Sequence, residues 1–335
     1  MTMLTAAQNT YDAKGNREDL QDMVYRIDPE EVPFQSNIST NLVAKNTYHE
    51  WQTQTLAAAS TNYALEGDDT AASAATGRTR LGNYCTISKK VFTVTGTQIE
   101  ANTAGISNEL DEQRLLKGIE LKRDMEVVLL TNQAYDAGST LTARKSAGLP
   151  AYTTNYNSDG WSGTAGTNWC VGSGTGLDDW SIGTGASARA ITLSIIRGTI
   201  KETYVDGGKI DFIMMPPDIK VDFSLAALGT GSGAVQIRSN VPTNRAAAVV
   251  GSVETFLSDF GTHDIVVNVQ QASDANFLNK TVYYIDKRYL GVAFYRDMRG
   301  ERLAKTGDGE REHVLAEYTL VVGAPKANGI DVNIT

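Results

Sequence analysis

Cysteine, histidine and proline are scarce in this chain: two, three and seven residues out of 335. Cys85 and Cys170 are far apart and form no CxxC pair, which excludes a disulfide framework and a structural zinc site. His49, His263 and His313 fall in three separate segments without HxxxH or HExxH spacing, so a zinc-binding helix is excluded as well. Positive charge is also short, with 30 Lys and Arg against 39 Asp and Glu and a net charge of −9. A protein built to grip nucleic acid carries a basic surplus or stripe; one that encloses nucleic acid without gripping it does not need one. No apolar run reaches the 18 or more residues of a membrane span. The opening MTMLTAAQNT has neither a basic n-region nor an apolar h-region, so no secretory signal is read there.

Catalytic motifs are missing too. Gly160-Trp161-Ser162-Gly163 has the wrong spacing for a nucleophile elbow. Gly172-Ser173-Gly174-Thr175-Gly176 follows no strand, and Gly229-Thr230-Gly231-Ser232-Gly233 follows a helix, so neither reads as a phosphate loop. Asp68-Asp69 and Asp178-Asp179 lack EF-hand spacing and read as solvated loop acids. His313 near Glu312 and Glu317, and His263 beside Asp264, read as polar strand-end residues, since no nucleophile and acid converge on either. The chain is expected to be no enzyme and to use no cofactor and no metal.

What is present is architecture. The stretch from Asn108 to Tyr135 is proline-free and helical in pattern. Asn108 serves as N-cap, with Asp111 in a partial capping box. Glu109, Asp111 and Glu112 crowd the first turn and Lys117, Lys122 and Arg123 follow, an order the helix dipole favours. Leu115, Ile119, Leu121, Met125, Val128 and Leu129 recur at helical spacing, and Gly118 is the weak position. A single helix of that length is a beam on which other elements are laid.

Ahead of the beam, residues 1–45 read as an arm. A short helix is expected from Arg17 to Arg26, then an extended run through Pro29 and Pro33 to Phe34. Residues 46–96 read as a long hairpin. Its first leg runs from Asn46 to Leu56, its tip is polar, and its second leg runs from Arg78 to Val94, with Lys89 and Lys90 as a charged strand edge. Such a hairpin is marginal alone and needs a surface to lie on. Behind the beam, Gly138 to Ala186 is rich in Gly, Ser and Thr with Trp161, Trp169 and Trp180, too long for an ordinary connection. A regular α/β pattern follows: a helix from Ser187 to Val205, a strand from Lys209 to Met215, and a helix opened by Pro216-Pro217 and running to Leu228. Strands are then expected at Ala248–Phe256, Asp264–Val269, Thr281–Ile285, Val292–Tyr295 and His313–Val322, the last two flanking the polar turn Lys305 to Glu310.

Five segments carry a family likeness: Ile27 to Phe34, Tyr48-His49-Glu50-Trp51, Leu65-Glu66-Gly67-Asp68, Arg80-Leu81-Gly82-Asn83-Tyr84 and Glu120 to Glu126. In sequence and order they resemble one branch of the major head proteins of tailed bacteriophages. The resemblance implies an α+β fold of the Hong Kong 97 type. Residues 1–45 are then the N-terminal arm and 46–96 the E-loop hairpin. Residues 97–150 are a P domain with its spine helix, 151–186 a loop or insertion, 187–285 an α/β A domain, and 286–335 the returning P-domain strands. It also implies inter-subunit contacts at Phe34, Trp51, Arg78, Arg80, Tyr84, Lys305, Asp308 and Glu310.

The function implied is a structural capsid protein of the virion. It self-assembles in the host cytoplasm, as pentamers and hexamers, into an icosahedral or elongated head around double-stranded DNA. Homo-oligomers, a separate scaffold protein, a portal and a decoration protein are the implied partners, with DNA enclosed but not read and no membrane involved. Two alternatives stand beside it. One is an encapsulin-like compartment on the same fold. The other is a secreted carbohydrate-binding module, which the tryptophan-bearing tract favours and the beam helix opposes.

Overall fold

The computed structural model describes residues 23–67, 75–155, 174–177, 188–228, 253–274 and 277–334. Of the expected first helix, Arg17 to Asp22 lie outside these residues and Met23 to Arg26 are not helical. Pro33 does not extend the chain; it opens a short helix, α1 (Pro33–Asn37), where a first-turn proline sacrifices no hydrogen bond. Strand β1 (Ser39–Val43) follows, exposed along its whole length. The hairpin pairs β2 (Tyr48–Thr53) with β3 (Thr79–Tyr84), antiparallel. The expected second leg breaks at Cys85. Beyond it β4 (Thr86–Thr95) leaves the hairpin and joins another sheet. A short helix α2 (Gly96–Glu100) leads to the beam, α3 (Glu109–Leu130).

Helix α3 has 22 residues, about 33 Å at 1.5 Å per residue. Asn108 caps it by accepting from the Leu110 amide at 3.1 Å and donating to the Asp111 carboxylate at 2.6 Å. It ends at Leu130, short of the expected Tyr135. Thr131 is extended there, and its hydroxyl returns to the Val127 carbonyl at 2.6 Å. Apart from Leu110 in the first turn, the buried apolar stripe lies in the second half. Leu121, Met125, Leu129 and Leu130 are buried, whereas Leu115 is 53% exposed.

After the beam come α4 (Leu193–Val205), β5 (Phe212–Met215), α5 (Pro217–Leu228), β6 (Thr255–Ser258), β7 (Gly261–Val267), β8 (Val282–Ile285), β9 (Leu290–Arg302), β10 (Gly309–Val322) and β11 (Gly329–Asp331). The Pro-Pro start of α5 and the Thr192 cap of α4, which accepts from the Ile195 amide, follow the local rules. Of the strand expected over Ala248–Phe256, the first five residues lie outside the described chain and only Thr255 and Phe256 are in β6. Strands β9 and β10 are longer than expected because they continue as a ribbon past the core to the Lys305–Asp308 turn. Two sheets result. One has four strands in the order β1-β9-β10-β4; the other has five, β11-β8-β5-β7-β6.

Side-chain alternation along buried strands divides the interior into two main cores, beside two small clusters. From β5, Phe212 and Met214 point into one core with Tyr283, Ile285, Leu121, Met125, Leu129, Tyr318 and Leu320. Ile213 and Met215 point the other way, into a core closed by Ile195, Ile196 and Ile200 of α4 and Phe223 of α5. Helix α3 therefore lies between the two sheets and contributes to the core that joins them.

Candidate functional site: arm, hairpin and ribbon tip

Among the described residues no group of His, Cys, Asp and Glu is arranged to hold a metal ion, and no helix is long and apolar enough to cross a membrane. His263 is a structural residue. It is buried, with one ring nitrogen 2.7 Å from Ser258 Oγ and the other 2.8 Å from the Ile210 carbonyl. Cys85 is buried beside Glu317, and burial pushes its thiol up to about 11, outside the range of a reactive cysteine. Cys170, Trp161, Trp169, Trp180 and both acidic pairs fall outside the described residues. Gly174 and Gly176 of the GxGxG run do describe a turn. Both have positive φ, and Gly176 lies against the Tyr152 ring, where a side chain has no room.

The built features are anchors. The first holds the arm. Glu126 of α3 is fully buried and receives the Phe34 amide at 2.7 Å, the Gln35 amide at 3.0 Å, Gln35 Nε2 at 3.1 Å and Asn268 Nδ2 at 2.9 Å. One carboxylate thus caps α1, which has no cap of its own, and ties arm, beam and the end of β7 together. Burial raises its pKa, against the opposing pull of those hydrogen bonds. Phe34 is 0% exposed inside this core. Of the implied inter-subunit contact residues, Phe34 is the one whose side chain lies buried in the core of its own chain.

The second anchor holds the hairpin root. Asn83, fully buried in β3, donates to Ser146 Oγ at 3.1 Å, the Ala147 carbonyl at 3.3 Å and the Leu320 carbonyl at 3.0 Å, and accepts from the Ala147 amide at 2.9 Å. The Tyr152 hydroxyl donates to the Gly82 carbonyl at 2.9 Å. Tyr48, Tyr84 and Tyr135 pack with centroids 4.6 to 6.0 Å apart. Burial and a hydrogen bond to Tyr135 push the Tyr48 phenol up to about 12. Trp51 packs against Tyr152 with the rings tilted by 50° and their centroids 5.8 Å apart. Tyr84 and Trp51 are thus half-buried in this root, with part of each face still open.

Past the root the hairpin is bare. Arg80 pairs with Glu50 on the exposed ladder, and Arg78, just ahead of β3, donates to Gln52 at 3.3 Å. Residues 54–67 make no strand and are exposed throughout, with Leu56 at 96%, Tyr63 at 91% and Leu65 at 81%. The ribbon tip is similar: Lys305 and Asp308 are exposed, and Glu310 lies 3.6 Å from Arg302. The structure therefore does not gather the implied contact residues into one site. It places Trp51, Arg78, Arg80 and Tyr84 along the hairpin and Lys305, Asp308 and Glu310 on the ribbon. Sequence reading missed Asn83 and Glu126. Their signal was a polar residue of fixed geometry among apolar neighbours, Leu81 to Cys85 and Met125 to Leu130, where burial forces partners upon it.

Known proteins resemble the chain on both counts. The sequence profile described as SU10 major capsid protein matches residues 5–335. A major capsid protein of Escherichia phage Phieco32 is 30% identical over 126 residues, 37% of this chain and 36% of that one; the match spans about a third of that relative. Among solved structures, the capsid of cyanophage A-1(L) aligns with TM-score 0.66 at 14% identity over 98% of both chains. The capsid of a native GTA particle aligns with TM-score 0.60 at 10% identity over 100% of both. A chain from Mycobacterium phage Bobi gives 0.57 at 13% over 94% of both. The fold is that of phage capsid shells.

Proposed function

The chain belongs to the SU10 major capsid protein family, and from that premise we propose that its copies group as pentamers and hexamers and close into a tailed-phage head around double-stranded DNA. The observation that supports assembly is the hairpin. A segment carrying Leu56, Tyr63 and Leu65 almost wholly in solvent gains no burial within its own chain. Apolar surface of that kind marks an interaction site. In a shell built from one repeated chain, a neighbouring copy supplies the missing surface, so that binding and stability are linked. Closed symmetry uses up such extensions, whereas an open head-to-tail contact propagates without limit.

The charge agrees with a container. At a net −9 the shell releases few counterions to DNA, and the packaged duplex is held by enclosure rather than adhesion. Virion location, assembly in the host cytoplasm, and a scaffold, a portal and a decoration protein as partners belong to the same proposal. The test is negative-stain microscopy and sizing of the chain expressed alone and with a candidate scaffold. Shells or five- and six-membered rings are expected. A monomer under every condition overturns the reading.

A further inference from the structure

Three half-buried tyrosines converge at the hairpin root. Tyr48 and Tyr84 stand directly opposite each other in the β2–β3 ladder, the arrangement that brings cross-strand side chains into contact. Their ring centroids are 4.6 Å apart and their planes are tilted by 43°. Tyr135, just beyond α3, completes a triangle at 6.0 Å from Tyr48 and 5.6 Å from Tyr84. Its backbone is fixed there, with its amide donating to the Gly176 carbonyl at 3.0 Å.

The closest pair is held in place. The Tyr48 ring lies over Gly82, where a side chain would come within 2.6 Å of it, so the bare backbone permits the close approach. The Tyr48 phenol hydrogen-bonds to Tyr135, which gives its proton a path toward solvent. Tyr152, Tyr283, Tyr284 and Tyr318 are fully buried, out of reach of a dissolved oxidant, whereas Tyr25 and Tyr63 stand mostly in solvent. The root tyrosines lie between these extremes, reachable from outside and already in contact.

We propose that the hairpin root is a site of oxidative modification, at which a one-electron oxidant such as a peroxide-derived radical couples Tyr48 to Tyr84 as a dityrosine. Each ring gives one electron to the oxidant and its phenolic proton to water, the Tyr48 proton by way of Tyr135. The two phenoxyl radicals join through ring carbons ortho to oxygen, and the two ortho hydrogens shift to restore the phenols. In net, two C–H bonds break, one C–C bond forms, two electrons reduce the oxidant and two protons leave. The new bond closes the hairpin below its bare tip, so an oxidised chain cut within the exposed residues 54–67 keeps β2 joined to β3. This is chemistry of the single subunit and is independent of the shell reading.

The experiment photo-oxidises the whole chain with tris(bipyridine)ruthenium(II) and persulfate, digests it, and maps the links by mass spectrometry and dityrosine fluorescence. A peptide pair joined at Tyr48 and Tyr84, lighter by two hydrogens than its parts, is expected at a yield independent of protein concentration. The same treatment in urea, where the strands part, is expected to lose it. Because that comparison uses the wild-type chain, it does not depend on the folding of any variant. Tyr84→Phe, which keeps the ring, is expected to abolish the link, and Tyr135→Phe to slow it. Equal yield in urea, a link from Tyr48 to Tyr135 in place of Tyr84, or links only between chains through Tyr25 or Tyr63 overturns the proposal. An unchanged rate in Tyr135→Phe rejects the proton path.

Discussion

At the scale of single residues, Glu126 shows how one side chain fixes a long extension. Four donors from two segments converge on it. Glu126→Ala strands several buried donors at roughly 1–3 kcal/mol each, so a loss of ~3 kcal/mol or more is expected by urea unfolding. Its pH behaviour has a definite sign. Burial raises the folded pKa above the ordinary 4.5, so the folded chain holds this proton more tightly than the unfolded chain. Its contribution to stability is then greatest below that ordinary value, falls as pH rises through the raised one, and is flat above it. The stability of wild type relative to Glu126→Gln should decline as pH climbs from about 4.5. A difference that grows with pH would mean that the hydrogen bonds, not burial, dominate. Gly148 makes a sharper case. A side chain there runs into the Thr131 carbonyl at the end of α3. The atom in the way is backbone, which cannot swing aside, so Gly148→Ala should cost about 1–3 kcal/mol as overpacking, read as a lowered thermal midpoint.

At the scale of elements, the beam was legible in outline. Its cap, its acidic first turn and the absence of proline are local signals, and local structure obeyed them. Its end and its buried face were not legible, because both are set from outside. The Gly148 segment packs against Thr131, and the four-stranded sheet decides which stripe is covered. Likewise Pro216-Pro217 announced α5, whereas nothing local announced β1 or the parting of β3 from β4 at Cys85. Strand β1 pairs in parallel with β9 from the far end of the chain, and β4 pairs with β10. Periodicity along one strand carries no record of a distant partner. Two substitutions probe the exposed half of α3 from opposite directions. Gly118→Ala fills open space, so in the unassembled subunit it should gain up to ~1 kcal/mol from helix propensity. Arg114→Ala takes from the buried Glu312 a partner at 2.8 Å and leaves it Arg302 at 2.9 Å. Its cost should fall somewhat short of the ~3–5 kcal/mol of a fully orphaned buried charge. Denaturant midpoints at matched slopes decide both.

At the scale of the whole molecule, the buried cores and the exposed extensions are different parts of one chain. Both cores lie where α3, the two sheets, α4 and α5 meet, and residues 54–67 contribute nothing to either. This division explains why the assembly surfaces were half legible. A hairpin too polar at its tip to bury itself can be read from composition, and the likeness to head proteins named the contact residues. Whether a given side chain faces its own core or open solvent depends on packing, and the burial of Phe34 was not legible in its local sequence. The same division makes excision of the tip informative. Replacing residues 56–76 by a short Gly-Ser link keeps the β2–β3 ladder, the Asn83 anchor and the Tyr152 contact. The shortened chain should unfold within about 0.5 kcal/mol of wild type, as surface changes away from packed features do, and yet form no shells. If the excised chain unfolds early, the tip must pack on its own subunit. If it assembles as well as wild type, the contacts that close the shell lie in the arm, the ribbon tip and the five-stranded sheet.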